Sequence, residues 1–121
     1  MHRLLFALAA LGLASCGAKA PENYTTTSTD VLAAKKAYDE CALNTGALLA
    51  NNRTEPLETL VSLVIRTCEP KLLELRIAIM EENLGYSDPN AFANTYGDNY
   101  RASTRALVAD ALVVVRSVNP R

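Results

Sequence analysis

From Val31 onward apolar residues recur in steps of three and four, the period that gathers side chains along one face of an α-helix. Val31, Ala34, Tyr38, Cys41, Thr45 and Leu48 make the first such row. A helix is therefore predicted from Asp30, a good N-cap, to near Asn52. Lys35 with Asp39 and Lys36 with Glu40 fall four apart on its other faces and mark a solvated side. Asn52-Arg53-Thr54-Glu55-Pro56 reads as a turn, with Pro56 close to the first position of the next helix. That second helix carries Leu57, Val61, Val64, Cys68, Leu72, Leu75 and Ile79 on one face. A further row of Ile65, Leu73, Ile77 and Met80 gives it a width that suits contact with two neighbours. Pro70 removes one backbone hydrogen bond within it and disfavours helical geometry at Glu69, so a kinked but continuous helix is expected.

Gly85 supplies a stop, and Asp88-Pro89 an N-cap followed by proline in the first turn. Phe92, Tyr96, Tyr100, Leu107, Ala111, Val114 or Val115, and Val118 continue a helical stripe to the end, with Gly97-Asp98 as the one point where this helix would divide. The predicted fold is all-α: a small three-helix bundle, an antiparallel hairpin plus a third helix, over residues 30–119. Cys41 and Cys68 stand equally far from the predicted turn and on the inner faces of successive helices. In an antiparallel hairpin they face each other, which predicts a disulfide staple.

The first residues follow another pattern. Arg3 precedes an apolar run from Leu4 to Leu13 of about ten residues, too short for a hydrocarbon core that needs about 20. Small residues then lead into Cys16. Leu13-Ala14-Ser15-Cys16 resembles the lipobox of bacterial lipoprotein precursors, which carry a type II signal peptide. The resemblance covers the export segment alone. It implies removal of residues 1–15, a diacylglyceryl thioether on Cys16, and usually an acylated amine there as well. Gly17 after the cysteine, where Asp favours retention in the inner membrane, implies the outer membrane, facing the periplasm. The competing reading is ordinary secretory cleavage after Ala18-Lys19-Ala20, which would leave Pro21 as the first mature residue. On the lipoprotein reading, residues 16–29, polar and without apolar period, form a lipidated cysteine and flexible tether.

Composition narrows the chemistry. Half of the 121 residues are hydrophobic but only 6% are aromatic and none is Trp, so the core must be built from aliphatic side chains and Ala. The formal net charge of −1 gives no nucleic-acid footprint. The one histidine, His2, leaves with the signal, which excludes Ser-His-Asp and Cys-His nucleophile systems and the imidazole sites of catalytic zinc from the mature chain. With Cys16 acylated, two thiols remain in an oxidising compartment and are expected to pair. No metal site and no cofactor is expected. Adjacent Glu81 and Glu82 point about 100 degrees apart on a helix and cannot act as paired carboxylates.

The densest polar and aromatic stretch is 94–105. Tyr96 and Tyr100 share one face, Arg101 and Arg105 another, making these four the candidate interaction surface. The expected function is a non-enzymatic, membrane-anchored envelope lipoprotein whose helical module is structural or binds an envelope protein partner. The alternative is a helical bundle that binds a small ligand or lipid in the periplasm, in a pocket between the wide second helix and the Tyr-bearing third.

Overall fold

The computed structural model describes residues 23–118. They form four helices: α1 (Thr29–Leu49), α2 (Leu57–Thr67), α3 (Glu69–Glu82) and α4 (Pro89–Val118). The all-α class holds, and the three-helix count is corrected to four among the described residues. The extra helix comes from Pro70. In a continuous helix its missing N–H and its ring would both fall against the Arg66 carbonyl. Instead α2 stops at Cys68, whose backbone sits at φ −94, ψ 3, and α3 restarts at once with Pro70 in its first turn. A first-turn proline needs no N–H partner, so a break costs less than a kink here. The Cys68 carbonyl accepts from the N–H groups of Lys71 at 3.0 Å and Leu72 at 3.2 Å.

The remaining boundaries follow local caps. Ser28, rather than Asp30, caps α1, its hydroxyl accepting from the Val31 N–H at 3.2 Å. Asp88 caps α4 as the sequence predicts: its carboxylate accepts from the Ala91 N–H at 3.1 Å and its carbonyl from the Phe92 N–H. Its φ of 52 is left-handed, a conformation a short polar side chain tolerates better than a branched one. α4 then runs through Gly97 and Asp98 without dividing.

α2 and α3 together form a broken leg antiparallel to α1. α4 returns parallel to α1, with Lys35 beside Tyr96 and Tyr38 beside Tyr100. α1 and α4 both lie on the α2–α3 leg and meet each other more sparingly. The core holds Val31, Tyr38, Leu60, Val64, Leu72, Leu75, Ile79 and Val108. The predicted main face of the second helix is buried from Val61 to Ile79, whereas Leu73 and Ile77 of its second row are exposed. The disulfide between Cys41 and Cys68 joins α1 to the α2–α3 junction, with Cα atoms 5.8 Å apart.

Residues 23–28, within the span read as a tether, lie against the helices. The Asn83 side chain, fully buried, accepts from the Thr25 N–H at 2.8 Å and donates to the Thr25 carbonyl at 2.8 Å and the Ile79 carbonyl at 2.7 Å. The Ser28 N–H reaches Glu82 at 2.7 Å. Tyr24 stacks on Phe92 with centroids 4.2 Å apart, and its hydroxyl donates to the Ser87 carbonyl. Cys16 and residue 119 fall outside the described residues.

Candidate functional site

α4 meets the core along a line of small and medium residues, Ala93, Gly97, Thr104, Val108 and Leu112. Gly97 lets Arg76 cross it: a Cβ there would lie 2.5 Å from Arg76 Nε. The predicted stripe is therefore displaced by about one residue. Phe92, Tyr96 and Tyr100 flank the buried line at half burial, and Leu107, Val114 and Val118 are exposed.

This line also separates the candidate surface into two. On one side, Tyr96 and Tyr100 stack with centroids 6.2 Å apart and face α1, where Lys35 Nζ sits 5.0 Å from the Tyr96 ring. The Tyr100 hydroxyl donates to Asp39 Oδ1 at 2.8 Å. Burial, and next the hydrogen bond to Asp39, push its pKa above the ordinary tyrosine value. Tyr38 packs edge-on against Tyr100 at 5.7 Å, fully buried, with no partner for its hydroxyl. On the other side, Arg101 donates to Glu69 at 3.1 Å. Arg105 donates to Glu58 and, at 2.9 Å, to Ser62 Oγ. Each of the four thus has a partner within the fold, and tyrosines and arginines do not form one patch.

Below Tyr100 the two parallel helices part. Leu43, Gly46 and Ala47 of α1, its C-cap Ala50, and Leu107, Val108, Ala111 and Val115 of α4 line an open apolar groove of about 670 Å³, within the usual range of ligand sites. Its floor and flank on α1 are small: Ala42, Gly46 and Ala50 recur every four residues. A Cβ built on Gly46 would meet nothing within 4 Å. Leu43, 73% exposed, and Leu107, 70% exposed, stand at its rim. The alternative reading places a pocket between the second and third sequence-predicted helices; this groove lies between the first helix and the last.

The two ends of the groove differ. At one, Asp39 and Tyr100 form the hydrogen-bonded pair just described. Beyond Ala50 and Val115 at the other, Arg116 Nη2 donates to the Glu55 carbonyl at 2.6 Å and the Asn52 carbonyl at 3.3 Å, while Arg53 reaches the Arg116 carbonyl at 3.5 Å. Among the described residues neither guanidinium has a carboxylate within 4.0 Å. No described helix is long and apolar enough to cross a membrane, and no three metal-ligating side chains gather among the described residues.

No family model, curated protein or solved structure matches this chain.

Proposed function

We propose that this is a membrane-anchored envelope lipoprotein whose helical domain binds an apolar chain in the groove between α1 and α4. The groove carries the reading. A folded domain this small has little apolar surface to spare, yet Leu43, Leu107 and the small residues between them remain uncovered. Covering them removes apolar area from water at roughly 25 cal/mol per Å², which is enough to drive association of a greasy ligand. The lipobox supplies the address, with Cys16 as the lipidated residue, and nothing in the described fold offers a poised nucleophile, which favours binding over catalysis.

A neutral fluorescent probe, N-phenyl-1-naphthylamine, tests the groove in the full-length chain. Wild type should enhance its emission, and Gly46→Trp, which fills open space, should abolish the enhancement while keeping the helical spectrum. Equal enhancement by both, or none by either, overturns the reading. Labelled palmitate tests the anchor: after denaturing electrophoresis, which strips bound lipid, it should remain on the wild type and not on Cys16→Ser.

The exposed rim of Leu43 and Leu107 favours a second reading, in which an envelope protein seats a helix in the same groove. A partner that docks there competes with the probe and is lost in Gly46→Trp.

A further inference from the structure

We propose, on the strength of the groove reading, that the occupant is a free long-chain fatty acid, lying along α4 with its carboxylate at Arg53 and Arg116 and its methyl end toward Tyr100. Length comes first. From Tyr100 to Val115 the groove follows fifteen residues of helix at 1.5 Å each, about 22 Å. One leaflet of a bilayer core is about 15 Å, half of 30 Å. The groove is therefore long enough to take a single long acyl chain along its length.

Orientation follows from charge. The Tyr100 end holds the Asp39 carboxylate, which accepts from the Tyr100 hydroxyl, together with Lys35, whose opposite charge balances it, so this end offers an anion no net attraction. Just beyond the opposite end, past Ala50 and Val115, lie two guanidiniums that among the described residues bond to backbone carbonyls alone. Arg116 spends one nitrogen on both of its bonds. A guanidinium has five N–H donors, so donors remain for a carboxylate, the partner its fork matches. The C-termini of α1 and α4 also lie here and contribute about half a negative charge each. Two whole positive charges outweigh them.

The experiment uses the full-length chain in a lipid-free amphipathic polymer and compares palmitate, hexadecanol and palmitoyl lysophosphatidylcholine as displacers of N-phenyl-1-naphthylamine. Palmitate should displace about tenfold more tightly than hexadecanol, and the advantage should vanish in Arg53→Gln/Arg116→Gln. Arg53→Gln alone, which removes only the 3.5 Å contact, should halve it or more if the double variant fails to fold. A photoactivatable fatty acid with its diazirine near the methyl end should crosslink to Tyr100–Thr104, and one with the diazirine near the carboxylate to Val115 or Arg116. Equal displacement by palmitate and hexadecanol, tightest displacement by the lysophospholipid, or reversed crosslinks would overturn the fatty-acid assignment while leaving the groove reading intact. Failure of all three displacers together with no effect of Gly46→Trp would remove the groove reading itself. A dimer that dissociates in Gly46→Trp would assign the groove to a second copy of the chain.

Discussion

Alanine at Gly46 and alanine at Gly97 should move stability in opposite directions, although both replace a glycine inside a helix. The propensity gain is the same at each, about 1 kcal/mol. At Gly46 it is realised, because the new Cβ enters open space. At Gly97 the Cβ lies 2.5 Å from Arg76 Nε and 2.8 Å from its Cγ, so the arginine must leave. Its ion pairs to Asp98 at 2.6 Å and Glu69 at 3.7 Å go with it. Both partners are substantially exposed, so each pair contributes no more than about 0.2 to 1 kcal/mol. Adding the packing of the arginine stem across α4, the loss is about 2 kcal/mol and the net change about 1 kcal/mol unfavourable. For a domain of this size that separates the two melting temperatures by roughly 8–16 °C. Urea unfolding followed by the helical signal, with the disulfide intact and the slope unchanged, measures it. In an Arg76→Ala background the Gly97 substitution should become stabilising, since the clash is gone. A Gly97→Ala variant as stable as Gly46→Ala in the wild-type background would refute the steric account.

Reduction of the Cys41 to Cys68 bond, which spans 27 residues, should lower stability by about 3 to 4 kcal/mol on the chain-entropy model while the helical spectrum persists below the transition. Asn83→Ala should cost about 1–3 kcal/mol by stranding the Thr25 N–H and two carbonyls, and limited proteolysis should then cut within residues 23–28. Because the folded-state pKa of Tyr100 is raised, its contribution is intact below the ordinary tyrosine value near 10 and is lost as pH rises through the folded value. Stability should therefore fall above about pH 10, and less so in Tyr100→Phe, as pH-dependent urea midpoints will show. Tyr38→Phe should be neutral or stabilising in the same assay, since it removes a buried hydroxyl without a partner.

The staple, the Asp88-Pro89 start and the main face of the α2–α3 leg were legible because each rests on local spacing. The break at Pro70 was visible as an interruption but misjudged in kind. Its outcome turned on whether Cys68 could serve two helices at once, which its neighbours in sequence do not reveal. The line along α4 was misread because hydropathy weights Tyr96 and Tyr100 over Ala93 and Gly97, whereas close helix packing favours the smaller pair. Asn83 carries no signal at all: its partner Thr25 lies 58 residues away. The groove was hidden for a related reason. Ala42, Gly46 and Ala50 repeat with a helical period, and the same pattern serves equally for a buried seam or an empty one.

The clasp between Thr25 and Asn83 has a mechanical consequence. On the anchored reading, any pull between membrane and domain enters the chain ahead of Thr25 and loads the end of α3 before it reaches α1. While the clasp holds, on that reading seven residues, 16–22, separate the lipid from the clasped segment, a span of at most about 25 Å. If the hydrogen bonds to Asn83 and Glu82 and the stacking on Phe92 give way, six more residues pay out and lengthen it by about 20 Å, with α1 and the disulfide still unstrained. The domain would then yield under tension by slackening its leash rather than by unfolding.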